Sequence, residues 1–190
     1  MIVLASSSPR RTELLTKLGI AHEVDPAHLD ETPAPGEAPR AHALRLAQEK
    51  AVAVARRHPG AHVLGADTVV VLDGRMLGKP HSPGDAEAML SRMSGREHQV
   101  ITAVALAFDG RVLERVDETR VWFRPLTPVL IRDYVATGEP LDKAGSYGLQ
   151  GLGTVLVERI EGDYFGVIGL PLRLVVDLLA AAGRPYTFTR

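Results

Sequence analysis

The chain has 190 residues, with 22 Lys and Arg against 23 Asp and Glu and no cysteine. A near-neutral balance argues against nucleic acid as a partner. The absence of cysteine excludes disulfides, thiolate metal sites and a cysteine nucleophile. A chain of this length buries about 70% of its unfolded surface without staples, and it reads as one domain over residues 1–190.

Ile2 to Ala5 read as a short buried strand, being apolar and partly β-branched. This run is too short for a signal peptide, and no stretch reaches the ~18 apolar residues of a membrane span. The expectation is a soluble cytoplasmic protein with no membrane partner. Ser6, Ser7, Ser8 and Pro9 follow, and Thr12 to Leu18 read as a helix closed by Gly19. Ser8 is placed to cap that helix, with Pro9 at its first position. A strand thus feeds a hydroxyl-rich turn and a helix N-terminus, with Arg10 and Arg11 adding two permanent charges. Unpaired N–H groups, the helix dipole and these arginines make a place to hold phosphates. The plain alternative is a capped helix with two solvated arginines.

Ile20 to Val24 read as a second strand. Asp25 to Gly36, with Asp25, Asp30, Glu31 and three prolines, is a loop. Pro39 to Arg57 is a long helix rich in alanine and leucine. His62 to Leu72 is a strand, Asp73-Gly74 a hairpin turn, and Met76 to Lys79 the start of the return. Ser82 caps a helix with Pro83 first and Asp85 three residues on, running to Met93. His98 to Phe108 and Arg111 to Phe123 are strands joined by Asp109-Gly110. Thr127-Pro128 opens a helix to Thr137. Gly138 to Gly153 is a loop, Val155 to Ile160 a strand, Gly162-Asp163 a turn, and Pro171 to Ala182 a helix stopped by Gly183. Helices interleaved with strands and long hairpins predict an α/β fold with a mixed sheet.

Some residues contradict their local pattern. Asp67 lies inside an apolar strand on the same face as Val63, Val69 and Val71. A carboxylate there costs several kcal/mol unless paired, so it points to catalysis or metal binding, against a bulge that turns it to solvent. Lys50 projects from a helical stripe of Leu46, Ala47, Ala53 and Val54, and either snorkels to water or meets an anion. Lys79 sits in Gly78-Lys79-Pro80, a fixed turn presenting one cation. The loop 138–153 carries five glycines, which permit close backbone approach to a ligand. Gln150 in that loop offers a donor and an acceptor together. The histidines show no paired ligand spacing, and the P-loop, Rossmann and hydrolase-elbow motifs do not occur.

Together these stretches resemble the Maf family of nucleoside triphosphate pyrophosphatases. The matching segments are Leu4 to Arg11, Glu49-Lys50-Ala51, Gly65 to Val70, Gly78-Lys79-Pro80, Asp142 to Gly151, and Gly162 to Pro171. The resemblance implies an α/β fold similar to that of the inosine triphosphate pyrophosphatases: a mixed twisted sheet with flanking helices and two lobes around a cleft. It implies hydrolysis of a nucleoside triphosphate to monophosphate and pyrophosphate, a divalent metal cation (Mg or Mn), and often a homodimer. Asp67 matches the family's proton acceptor. Arg10, Thr68 and Gln150 match specificity positions, and Ser6, Arg11, Lys50 and Lys79 match triphosphate contacts. Glu31, with Asp67, falls where the metal would bind. Ala66-Asp67-Thr68 and Tyr147 to Gln150 look like the dTTP/UTP branch, in which the role is house-cleaning of the nucleotide pool. A link to septum formation is carried by the family's name. The rivals are a nucleotidyltransferase, which usually has glycine in its first loop, and a nucleotide-binding regulator without turnover.

Overall fold

The structure, a computed structural model, describes residues 1–188. In chain order its elements are β1 (Ile2–Leu4), α1 (Pro9–Lys17), β2 (Glu23–Val24), α2 (Pro39–Ala55), β3 (His62–Leu72), β4 (Arg75–Leu77), α3 (Pro83–Met93), β5 (Glu97–Phe108), β6 (Arg111–Phe123), α4 (Pro128–Ala136), β7 (Val157–Glu161), α5 (Tyr164–Ile168) and α6 (Leu172–Ala181). Three short 3₁₀ turns fill the stretch between α4 and β7. The strands form one seven-stranded sheet in the order β2-β1-β3-β5-β6-β7, with β4 paired to β3 off this path. β1 is parallel to β2 and β3, whereas β4 and β7 pair antiparallel to β3 and β6, so the sheet is mixed. The fold is α/β, as the sequence predicts. Among the described residues no helix is long and apolar enough to cross a membrane.

The chain forms two compact units, one of residues 1–67, 102–117 and 169–188, the other of residues 68–101 and 118–168. In the first, β1 lies in register with β3, Val3 opposite Val63 and Leu4 opposite Leu64. Val3, Leu4 and Ala5 are wholly buried, so this short strand is a core strand in spite of its length. α1 buries Leu14 and Leu15. Gly19, at φ 68°, takes the left-handed conformation that ends the helix, and its N–H reaches Thr16 O at 2.8 Å. Gly65 sets the distance between α2 and β3. A Cβ there would run into Ala47 O and lie 2.7 Å from Ala51 N, so helix and strand touch backbone to backbone.

In the second unit the turn Asp73-Gly74 has both residues at positive φ, 52° and 73°, the pair a two-residue hairpin needs. Ser82 caps α3 by accepting from Asp85 N–H, and Thr127 caps α4 by accepting from Leu130 N–H. His98, Phe123 and Tyr147 pack edge to face, with centroids 4.8 to 5.3 Å apart. His98 Nε2 and the Tyr147 hydroxyl are 2.8 Å apart.

Three local expectations are corrected. Ser8 stands at the α1 N-cap, but its side chain makes no cap bond; its own N–H is held by Ser6 Oγ at 3.2 Å. The second strand shrinks to Glu23–Val24, both exposed, because only these residues reach β1. The strand expected from Val155 starts at Val157, since Leu152–Leu156 coil into a 3₁₀ turn. α5 has no counterpart in the sequence reading. Its five residues are too few for a periodic signal, and Asp163 nucleates it by accepting from Phe165 and Gly166 N–H.

Candidate active site

The close contact at Gly65 decides where Lys50 goes. Ala47 and Ala51 lie against the strand at Gly65, and Lys50 shares their buried stripe. Asp67 is two residues along the strand, on the same face as Gly65. The result is an ion pair inside the first unit: Lys50 Nζ donates to Asp67 Oδ1 at 2.8 Å. Both residues are 7% exposed. Lys50 therefore does not snorkel, and no bulge turns Asp67 to solvent. The same ammonium meets Glu31 Oε1 at 2.6 Å, and the Glu31 side chain is half exposed. Burial pushes the Asp67 carboxyl above its ordinary pKa, against the pull of Lys50 and Arg11 and with a further push from Glu31.

Two side-chain clamps, one from α2 and one from the turn that follows it, hold the loop that carries Glu31. At one end Asp25 takes two bonds from Arg57 and lies 2.8 Å from His58 Nε2. Arg57 first, then His58, hold the Asp25 carboxyl down to about 2. At the other end Glu37 accepts a two-pronged contact from Arg45 at 2.7 and 2.8 Å and the Ala34 N–H at 3.0 Å. Arg45 also donates to Thr32 O, next to Glu31. The sequence reading missed both clamps; their only sequence signal is a row of charges with partners far along the chain.

The turn after β1 is built around Ser6 and Arg11. Ser6 Oγ, 8% exposed, accepts from Ser8 N–H and from Arg11 Nη1 at 3.1 Å. Arg11 also donates to Ala66 O from Nη1 and to Gly169 O from Nε, each at 2.9 Å. It thus ties the turn to the residue before Asp67 and to the start of the C-terminal segment. Burial pushes its guanidinium pKa down, opposed by Asp67. Arg10 is half-buried on the first turn of α1.

Of the residues singled out in the sequence, Ser6, Arg10, Arg11, Glu31, Lys50 and Asp67 belong to the first unit, and the bonds above draw Ser6 with Arg11 and Glu31 with Lys50 and Asp67. Thr68, Lys79 and Gln150 belong to the second. Thr68 is half-buried on β3, and Lys79 is exposed after Gly78, whose carbonyl accepts from Gly145 N–H at 3.1 Å. Gln150 is exposed.

No group of three or more His, Cys, Asp or Glu side chains that could hold an ion occurs among the described residues. Asp67 and Glu31 nonetheless supply two carboxylates converging on one cationic point, now the Lys50 ammonium. Hard oxygen donors of this kind fit Mg²⁺ or Mn²⁺ shared with substrate phosphates rather than a cage made by the protein alone.

The first unit thus holds a buried Asp67–Lys50 pair beside Ala66, whose carbonyl accepts from Arg11 of the turn after β1, a charged cluster of the kind that marks functional sites. Residues 1–182 match the family described as Maf-like protein. The chain is 52% identical over 182 residues to a dTTP/UTP pyrophosphatase of Syntrophomonas wolfei, covering 95% of this chain and 96% of that one. It is 54% identical to one of Myxococcus xanthus (97% and 94% covered) and 47% identical to one of Pyrococcus abyssi (97% and 98% covered). Among solved structures, a HAM1 protein from Coxiella burnetii is similar at TM-score 0.45 and 18% identity, over 64% of this chain and 72% of that one. The Ham1 protein of Staphylococcus aureus gives 0.46 and 17%, over 82% and 79%. The chain belongs to the Maf-like family.

Proposed function

We propose that the protein hydrolyses dTTP and UTP to the nucleoside monophosphate and pyrophosphate. The observation that carries this reading is the Asp67 carboxylate, buried yet held on the Lys50 ammonium at 2.8 Å, in a chain about half identical to dTTP/UTP pyrophosphatases over nearly its whole length.

In this reading Asp67 is the general base. Lys50 donates to Oδ1 and orients the carboxylate, which takes a proton from the attacking water. The water attacks the α-phosphorus in line, the bond from that phosphorus to the bridging oxygen breaks, and pyrophosphate leaves with the bonding electrons. Phosphoryl chemistry asks mainly for positioning and charge stabilisation. Arg10 and Lys79 bring permanent charge for the triphosphate. The Ser6 hydroxyl accepts from Ser8 N–H and Arg11, and its proton is the one offered to a phosphate oxygen. Arg11 supports the turn through two carbonyls as well as lending charge. Asp67 and Glu31 would hold a divalent cation, which when bound supplies neutralising charge at the phosphates. Thr68 and Gln150 take the part of base recognition. Assembly as a homodimer and a cytoplasmic location belong to the same reading and rest on the family resemblance.

The test is a panel of nucleoside triphosphates with and without Mg²⁺, separating products by chromatography. Monophosphate and pyrophosphate in equal amounts, fastest from dTTP and UTP and without an acceptor, are expected. Release of orthophosphate, or tight binding without turnover, would contradict the reading.

A further inference from the structure

The glycine-rich loop closes on a carboxylate of its own chain. Glu139 Oε1 accepts from the Tyr134 hydroxyl at 2.9 Å and from Gly153 N–H at 3.0 Å. Glu139 Oε2 accepts from Leu152 N–H at 2.8 Å. The Tyr134 oxygen in turn accepts from Gly148 N–H at 3.1 Å. Gly151 and Gly153 are required by this packing, whereas Gly148 meets the flexible end of Lys143. A Cβ at Gly151 would run into Glu139 Oε2, one at Gly153 would lie 2.6 Å from the Tyr134 oxygen, and one at Gly148 would lie 2.7 Å from Lys143 Cε. Close approach is thus what these glycines serve, but the group they approach is Glu139 and its neighbours. Burial pushes the Glu139 carboxyl up; the Gly153 and Leu152 N–H bonds and the Tyr134 hydroxyl outweigh it, so the group sits below its ordinary pKa.

Gln150 is exposed between two of these glycines. On one side Gly148 is tied to Tyr134, and on the other Leu152 and Gly153 are tied to Glu139. We propose that Glu139, acting with Tyr134, is a positioning residue for base selection: it fixes the backbone on both sides of Gln150 and so the place from which the amide is presented. The proposal rests on the reading that Gln150 meets the base. Uracil and thymine offer an acceptor at O4 and a donor at N3, and cytosine offers the reverse. A glutamine amide satisfies either pattern when flipped. Selection therefore needs the amide presented in one pose, and a loop tethered on both flanks provides it.

The test compares kcat/KM for dTTP, UTP and CTP in the full chain and in Glu139→Gln, Tyr134→Phe and Gln150→Ala. Glu139→Gln keeps the shape but sets an NH₂ group against the N–H and O–H donors that the carboxylate accepts. The dTTP-to-CTP ratio should fall about tenfold, with a smaller fall in the same direction for Tyr134→Phe. A ratio within one preparation does not depend on the fraction folded, so general loosening does not imitate the effect. If Gln150→Ala lowers the ratio while both other variants keep it, Glu139 only supports the loop and the proposal is wrong, with the Gln150 reading intact. If Gln150→Ala keeps the wild-type ratio, the Gln150 reading itself is wrong. Should Glu139→Gln fail to fold, Tyr134→Phe alone decides, and an unchanged ratio there overturns the proposal.

Discussion

Lys50 Nζ reaches Asp67 Oδ1 at 2.8 Å because α2 and β3 touch at Gly65. The residue without a side chain, two positions before Asp67, lets the helix backbone come close enough for a lysine to point at the strand rather than past it. Gly65→Ala should separate the two elements. A Cβ there meets backbone atoms of Ala47 and Ala51, which cannot swing aside. A loss of about 1–3 kcal/mol is expected for such overpacking. Turnover should fall further than the folded fraction does, because the ion pair opens. Urea unfolding beside single-substrate kinetics checks this; a stable, fully active Gly65→Ala protein would show that the pair tolerates a wider spacing.

Lys50→Met should cost about 3–5 kcal/mol, because it leaves a buried carboxylate without its partner. The double variant Lys50→Met with Asp67→Asn should recover most of that stability and none of the activity. Denaturant midpoints of the two singles and the double measure the coupling. Additive losses would mean that the two groups do not depend on each other.

His98 sets the expected acid sensitivity of the second unit. It is 2% exposed, and burial lowers its pKa from 6.5 to about 4. As pH falls below 6.5 the unfolded chain takes up a proton that the folded one refuses until about 4. Stability therefore declines across that window, by roughly 3 kcal/mol for a shift of this size. His98→Gln should flatten that slope, read as the urea midpoint against pH between 7 and 4. An unchanged slope would assign the acid sensitivity to other groups.

How far the chain could be read in advance follows from where each signal sits. Asp67 and Lys50 stand out because a charge in an apolar strand and a cation in an apolar helical stripe each contradict a local pattern. Ser82 and Thr127 are legible as caps because a cap bond spans three residues. Ser8 follows the same rule and fails, since its N–H goes to Ser6, whose hydroxyl also serves Arg11. Arg11 looks like a free charge in sequence, but one of its carbonyl partners is 158 residues away. Glu139 is silent in the sequence for the same reason: nothing local says that glycines nine and more residues on will fold back over it.

In the proposed mechanism Asp67 takes the proton from the attacking water. The direct test is pyrophosphate release from dTTP by Asp67→Asn, in a protein shown to be folded by circular dichroism and urea unfolding. The replacement keeps the shape and removes the charge. Turnover should fall roughly 10²-fold or more. A folded Asp67→Asn protein with near-parental turnover would contradict the account.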